Sequence, residues 1–159
     1  MSPLTPEMEY HPYILAQISG LAALQAEHGI HTQAYGPLVP LIRHPDGGPI
    51  KPILQRIAAR LSKESGKEIA DTTALLLWTI GMGVSVVTTS GNADRIKALA
   101  DIDGLPDLTS EEMDEVTEAG KTIHFRYYSV CRPVAAKRKL MLGTSGQRLP
   151  GARSPDGGT

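Results

Sequence analysis

A run of β-branched residues that turns directly into a helix constrains the fold of this chain most. Residues 84–88 are Val-Ser-Val-Val-Thr, a composition typical of a short buried strand. Ser90-Gly91-Asn92 then supplies turn residues, and apolar residues recur at helical spacing up to position 100. The stretch therefore predicts a strand that feeds a helix through a tight turn.

The turn between this strand and this helix is suited to binding an anion. The first backbone N–H groups of a helix have no partner within it, and the helix dipole places positive charge at that end. Arg95 lies one turn inside the predicted helix, where a guanidinium could bind the same anion. The stretch is either a phosphate-binding strand–turn–helix or an ordinary βα unit with a helix cap and a surface arginine.

Strands and helices alternate along the rest of the chain. Hydrophobic periodicity and turn residues predict strands over 7–10, 30–35 and 84–88. Helices are predicted over 14–28, from about 52 to 65, over 71–80, through 96–100, and from a capping box at Thr109 and Glu112 to about 120, with a loop over 39–49. This alternation predicts an α/β fold with a parallel sheet and helices packed outside it.

Composition and charge limit the domain organisation and the compartment. The chain has 159 residues, a net charge of −1 and one cysteine, so we expect no general attraction to nucleic acid or membrane, and a reducing, cytoplasmic environment. The N-terminus has no signal-peptide pattern. We predict an irregular lead-in over 1–6, a domain over 7–128 and a disordered basic tail over 129–159.

Two single residues carry alternative roles. His11 could be a metal ligand or a base, but we expect a structural histidine because no partner lies at ligand spacing in the sequence. Tyr35, at the end of a predicted strand, is either a stacking platform for an aromatic ligand or a half-buried strand tyrosine.

Five ordered motifs resemble the aldo-keto reductase family, while Gly-Pro-Leu at 36–38 and Gly-Leu-Pro-Asp-Leu at 104–108 resemble its fungal branch. The motifs are Glu-Tyr-His-Pro-Tyr at 9–13, Glu-His-Gly-Ile at 27–30, Ala-Tyr-Gly-Pro-Leu at 34–38, Ser-Gly-Asn-Ala-Asp-Arg-Ile at 90–96 and Leu-Thr-Ser-Glu-Glu-Met at 108–113. The resemblance covers about 7–128 and implies the C-terminal part of a (β/α)8 TIM barrel. The three predicted strands would be its sixth, seventh and eighth, so the barrel is incomplete.

The resemblance implies part of an NADP site. Tyr35 matches the residue on which the nicotinamide ring stacks, and Leu38 matches a residue beside the pyrophosphate. Ser90, Asn92 and Arg95 match the group that holds the adenosine 2′-phosphate. The family's catalytic Asp, Tyr, Lys and His belong to earlier strands, so no catalytic residue and no metal ligand is assigned in this chain.

Several positions depart from the family pattern. Thr89 replaces a common Lys or Arg that pairs with the 2′-phosphate, which leaves the preference for NADPH over NADH open. Glu7 replaces a Gln that usually bonds the carboxamide, and Pro6 replaces a common Asn. Ala98 and Leu99 replace a polar pair beside the adenine.

Two functions follow from the resemblance. One is NADPH-dependent reduction of an aldehyde or ketone in a fungal small-molecule pathway, with the missing strands supplied and with nucleotide and small carbonyl compounds as partners. The alternative is a non-catalytic remnant, or a regulatory or interaction module, with residual nucleotide binding. Three barrel strands would leave two open edges and one apolar face uncovered, so we expect self-association through the open sheet.

Overall fold

A three-stranded parallel sheet with helices on one side forms the centre of the protein. The structure is a computed structural model that describes residues 5–128. The strands are β1 (Glu7–Glu9), β2 (Gln33–Tyr35) and β3 (Ser85–Val87), in the spatial order β1-β2-β3. The register aligns Met8 with Ala34 and Ala34 with Val86. The sheet is open, as expected for a segment of a barrel, and the predicted α/β fold is confirmed.

Within residues 5–128, six α-helices connect or follow the strands. They are α1 (Leu15–Glu27), α2 (Val39–Ile42), α3 (Ile50–Ser65), α4 (Asp71–Gly81), α5 (Ala93–Ala100) and α6 (Ser110–Lys121). The capping box predicted at the start of α6 is present, with hydrogen bonds in both directions between Thr109 and Glu112. None of the helices in residues 5–128 is long and apolar enough to cross a membrane.

The predicted element boundaries need three corrections. The strands pair over only three residues each, so they are shorter than predicted. The segment predicted as a loop over 39–49 begins with the single turn α2, in which Pro40 occupies an early helical position that needs no N–H donor. Short 3-10 turns, Pro12–Ile14 and Ile102–Gly104, flank α1 and α5, where a helix start and a loop were predicted.

The hydrophobic core lies between the sheet and helices α3, α4 and α6. Trp78 of α4 is fully buried, and its indole N–H donates to Thr117 Oγ1 of α6 at 3.1 Å. Pro12 fits directly against Gly120 of α6, where an added Cβ would lie 2.4 Å from the proline Cβ. These contacts fix α6, and therefore the segment that follows it, against the amino-terminal part of the domain.

The sheet face away from the helices is polar, which corrects the expectation of an uncovered apolar face. Successive strand residues point to opposite faces. Ala34, in the central strand, is fully buried in the core. The opposite face carries Glu7, Gln33 and Ser85 in one row and Glu9, Tyr35 and Val87 in the next. Exposed apolar side chains lie instead on helices α1, α4 and α5, at Leu21, Leu24, Ile80 and Ile96. Self-association itself stays a prediction.

Two parts of the predicted domain organisation fall wholly or mostly outside the described residues. Of the lead-in over 1–6, only Thr5 and Pro6 are described, and the Pro6 carbonyl accepts a hydrogen bond from the Gln33 N–H at 3.0 Å. The predicted basic tail over 129–159, with its single cysteine, lies outside the described residues altogether. Its disorder stays a prediction.

Candidate functional site

The predicted site residues gather at the carboxyl ends of β2 and β3. Tyr35 is the last residue of β2, and Leu38 directly precedes α2. Ser90 and Asn92 form the turn between β3 and α5, and Arg95 lies in the first turn of α5. Parallel strands end at one common edge, and loops at that edge carry the sites of parallel α/β folds. The predicted site residues therefore lie at one edge of the sheet, and their binding of a cofactor stays a prediction.

Two adjoining cavities follow this edge. A strand-end cavity of about 300 Å³ is lined by Tyr35, and a helix-side cavity of about 450 Å³ is lined by Ser90 and Arg95. Four residues line both of them: Leu38, Ile42, Thr88 and Thr89. We call the two cavities together the trench. A long ligand with an aromatic end and an anionic end could lie along it.

The Ser-Gly-Asn turn is organised by its own side chains. The Asn92 side-chain oxygen accepts from the N–H groups of Asp94 at 2.9 Å and Arg95 at 3.2 Å. Ser90 Oγ accepts from the Asn92 N–H at 3.1 Å. Asn92 is thus the N-cap of α5 and is not among the residues lining either cavity, whereas Ser90 lines the helix-side cavity. Anion binding by Asn92 therefore stays a prediction.

Arg95 offers an unneutralised positive charge in the trench. Its side chain is exposed, and it forms no ion pair within the part of the chain that the structure describes. Asp94, the acidic residue beside it, lies in the first turn of α5, where a carboxylate stabilises the helix dipole. The guanidinium of Arg95 can therefore form a bidentate contact with an anionic group in the helix-side cavity.

Tyr35 presents part of its ring to the strand-end cavity and part to another tyrosine. It is 43% exposed, and its ring centroid lies 4.6 Å from that of Tyr128 at an angle of 56°. Gly36 permits this approach, since a Cβ there would lie 2.7 Å from the Tyr128 ring. Partial desolvation is the largest cause that raises the pKa of Tyr128, and the neighbouring Tyr35 raises it further. The hydroxyl of Tyr128 therefore stays neutral at physiological pH, and the two rings form one aromatic wall of the trench.

A buried carboxylate holds the aromatic segment in place. Glu9, the last residue of β1, is only 6% exposed. Its Oε1 accepts from the Tyr127 N–H at 2.9 Å, and its Oε2 accepts from the Tyr128 N–H at 3.2 Å. Arg126 Nε lies 3.7 Å from Oε2. We call these contacts the Glu9 clamp; they fasten the segment 126–128 to the strand ends.

His11 belongs to the same buried cluster and corrects one sequence inference. Its Nε2 lies 2.9 Å from Glu9 Oε1, so the histidine has a carboxylate partner two residues away. The backbone at His11 is extended, which places side chains two residues apart on one side. Burial lowers the pKa of His11, against the opposing effect of Glu9. A structural role for the histidine stays a prediction, and the described residues contain no cluster of three or more potential metal ligands.

Three residues of this edge carry no clear sequence signal of their role: Glu9, Tyr127 and Arg43. Arg43 ends α2, and its guanidinium carbon lies 4.9 Å from the centroid of the Tyr127 ring. Arg43 also lines the strand-end cavity. No local pattern links residues this far apart in the chain. The only hint is that Glu9 and Tyr127 both belong to unusually aromatic stretches.

The loop before α3 is fixed by a buried tyrosine. The Tyr13 hydroxyl donates to the Gly47 carbonyl and accepts from the Ile50 N–H at 3.4 Å. Burial raises the pKa of Tyr13 to about 12, so the hydroxyl remains a donor throughout the physiological range. The Tyr13 carbonyl also accepts from the Phe125 N–H at 3.2 Å. Tyr13 thus ties the loop that follows Arg43 to the segment that carries Tyr127.

Comparisons with known proteins agree with this geometry. The chain is 29% identical over 128 residues to an NAD/NADP-dependent indole-3-acetaldehyde reductase of Schizosaccharomyces pombe, covering 80% of this chain and 42% of the relative. It is 31% identical over 120 residues to an NADPH-dependent alpha-keto amide reductase of Saccharomyces cerevisiae, covering 76% and 37%. An aldo-keto reductase of Mycolicibacterium smegmatis is 31% identical over 127 residues. No protein-family model matches the chain.

Solved structures show the same architecture. An aldo/keto reductase from Brucella melitensis superposes with a TM-score of 0.56 and 25% identity, covering 75% of this chain and 40% of that one. A mutant of Gox0644 in complex with NADPH superposes with a TM-score of 0.57 at 19% identity, and this second likeness concerns the fold alone.

The open parallel sheet, its outer helices and these superpositions define a segment of a βα-barrel protein. The chain resembles part of the aldo-keto reductases, and two of the relatives that match it are fungal. The predicted family resemblance is thereby confirmed. The chain spans 42% and 37% of the lengths of the two yeast relatives, about two fifths of each.

Proposed function

We propose that this chain is the dinucleotide-binding part of an NADP-dependent carbonyl reductase. The observation that carries the proposal is the trench, with the exposed Tyr35 ring in one cavity and the unneutralised Arg95 in the other. Of the two yeast relatives, one is an NAD/NADP-dependent reductase of indole-3-acetaldehyde and the other an NADPH-dependent reductase of alpha-keto amides. We accordingly propose an aldehyde or ketone of small-molecule metabolism as the substrate class. We propose the cytoplasm as the location.

The residues of the trench fit such a cofactor by their chemistry. The Tyr35 ring can stack on the nicotinamide, and Leu38 lies where the two cavities meet and can pack beside the pyrophosphate. Arg95 can pair with the 2′-phosphate, and the Ser90 hydroxyl can hydrogen-bond to it. When bound, the cofactor supplies hydride for carbonyl reduction. The chain's own contribution is to bind and orient the dinucleotide.

No described residue is assigned to proton donation. Carbonyl reduction needs an acid whose pKa is adjusted by its neighbours. Within residues 5–128, no hydrogen bond joins a tyrosine hydroxyl to a lysine or a histidine. We therefore propose that turnover requires further βα units that supply this acid.

Calorimetric titration of the full 159-residue chain tests cofactor binding. We expect Arg95→Ala to weaken NADPH by roughly ten- to a hundredfold, since hydrogen bonds to charged groups contribute about 1.5–3 kcal/mol. Because NADH lacks the 2′-phosphate, its binding should be weakened much less. Tyr35→Ala should weaken both cofactors alike. Lys97→Ala removes an exposed charge from the same helix outside the trench lining and is the matched control.

The alternative function is a non-catalytic remnant or interaction module. The exposed apolar side chains of the helices favour it, because they offer surfaces for association. Binding of NADPH without turnover is expected of either function for this chain alone, so turnover once the missing βα units are supplied would favour the reductase. An unmutated chain that binds neither cofactor would exclude the dinucleotide proposal and leave the remnant or interaction module.

A further inference from the structure

We propose that Arg43 is a second phosphate-binding cation of the trench and that it binds the pyrophosphate of the dinucleotide. The inference rests on the proposed function and extends it to a residue with no sequence signal. It gives the two cations different tasks: Arg95 would take the phosphate that distinguishes NADPH from NADH, and Arg43 would take the diphosphate that both share.

The first support is the position of Arg43. It lines the strand-end cavity, which also contains Tyr35, whereas Arg95 lines the helix-side cavity. The two cavities share Leu38, Thr88 and Thr89 along their common boundary. A dinucleotide with its ring against Tyr35 and its 2′-phosphate at Arg95 must carry its pyrophosphate between them. Arg43 lines the strand-end cavity and directly follows Ile42, which lines both cavities.

The second support is the way Arg43 is held. Its guanidinium lies over the Tyr127 ring with the carbon 4.9 Å from the centroid. A cation over an aromatic face keeps its charge and leaves N–H donors at its edge. Within residues 5–128 Arg43 forms no ion pair, so no described carboxylate neutralises it.

The third support is that the Tyr127 platform is itself fixed. The Glu9 clamp anchors the Tyr127 backbone through a 2.9 Å hydrogen bond. The clamp carboxylate is buried with 3% of its side chain exposed and is engaged by backbone and histidine donors. It therefore positions Tyr127 without competing as a partner for Arg43. A chain of contacts thus runs from Glu9 through Tyr127 to the cation at the cavity rim.

Three probes separate the two cations. ADP-ribose carries the pyrophosphate without the 2′-phosphate, 2′-AMP carries the 2′-phosphate without the pyrophosphate, and NADPH carries both. We expect Arg43→Gln to weaken ADP-ribose and NADPH about tenfold, the lower end for a charge-assisted contact at an exposed side chain, and to leave 2′-AMP unchanged. Arg95→Gln should weaken the binding of 2′-AMP and leave the binding of ADP-ribose unchanged. Arg43→Lys should retain part of the ADP-ribose affinity.

Calorimetry on the full chain decides between the outcomes, with Arg56→Gln on the distant helix α3 as the charge-matched control. Equal urea midpoints for Arg43→Gln and Arg56→Gln establish that the fold is intact. If NADPH binding responds to Arg95→Gln and ADP-ribose does not respond to Arg43→Gln, the role of Arg43 is overturned while the proposed function stands. Equal weakening of 2′-AMP and ADP-ribose by Arg43→Gln also overturns it, since the charge would then act unspecifically. An unmutated chain that binds none of the probes overturns both proposals.

Discussion

Replacing Glu9 by glutamine measures how firmly the aromatic segment is held against the strand ends. In the native protein, Glu9 Oε1 accepts from Tyr127 N–H at 2.9 Å and contacts His11 Nε2 at 2.9 Å. Glu9 Oε2 accepts from the Tyr128 N–H at 3.2 Å. Glutamine keeps one oxygen for the first two groups and turns an NH₂ group toward Tyr128. One backbone donor then loses its acceptor, and the remaining bonds lose their charge assistance.

The expected loss follows from these contacts. Leaving one donor without an acceptor costs about 1–3 kcal/mol, and we expect Glu9→Gln to lower the free energy of unfolding by that amount. Glu9→Ala removes both oxygens, leaves both backbone donors without an acceptor and should cost about 2–6 kcal/mol, twice the loss for one donor. Glu7→Gln is the matched control. Glu7 lies on the same strand and the same face but is exposed, so its change should stay within about 0.5 kcal/mol.

Urea denaturation followed by tryptophan fluorescence provides the measurement. Trp78 is the only tryptophan of the chain and is fully buried, so its emission reports unfolding of the core. Amide hydrogen exchange at Tyr127 and Tyr128 reports local release of the segment. Equal midpoints for Glu9→Gln and Glu7→Gln, with unchanged protection of the two amides, would refute the Glu9 clamp.

Three further outcomes are expected. Burial holds the pKa of His11 below its ordinary value of 6.5. As pH falls below about 6.5, the unfolded state therefore binds more protons than the folded state, and the free energy of unfolding should decrease. The His11→Gln variant should lose that pH dependence in urea titrations. Gly120→Ala places a Cβ 2.4 Å from Pro12 and should lower the free energy of unfolding by about 1–3 kcal/mol in urea titrations. Gly20 has nothing within 4 Å of an added Cβ, so Gly20→Ala should raise the free energy of unfolding by about 0.5–1 kcal/mol. The opposite order would contradict the packing of α6. Thr89→Lys adds a cation to the trench and should tighten NADPH more than NADH in calorimetry, while an equal gain for both would place the new charge at the pyrophosphate.

Local chemical signals were sufficient for the ends of several helices. Thr109 and Glu112 bond reciprocally at the start of α6, and Gly66 ends α3 in the left-handed region at φ 67°. Asn92 caps α5 through its side chain. Such features depend on a few consecutive residues, whose hydrogen-bonding groups meet whatever the rest of the chain does.

Strand lengths and the character of the free sheet face were not predictable in the same way. The β-branched run over 84–88 favours a longer strand, but pairing extends only where β2 offers a neighbour, which limits β3 to Ser85–Val87. The expectation of an apolar free face came from how parallel sheets are usually covered. The strand register makes that face polar, because it places Gln33 between Glu7 and Ser85 there.

Hydrophobic periodicity was enough to predict the alternation of strands and helices. The family, and the assignment of Tyr35, Leu38, Ser90 and Arg95 to one cofactor site, came instead from the resemblance of five motifs, and that site stays a prediction. Only the tertiary structure joined Glu9 to Tyr127 and Tyr127 to Arg43. Those contacts link three distant parts of the chain, and their distances depend on how α6 packs against Pro12, which no local pattern encodes.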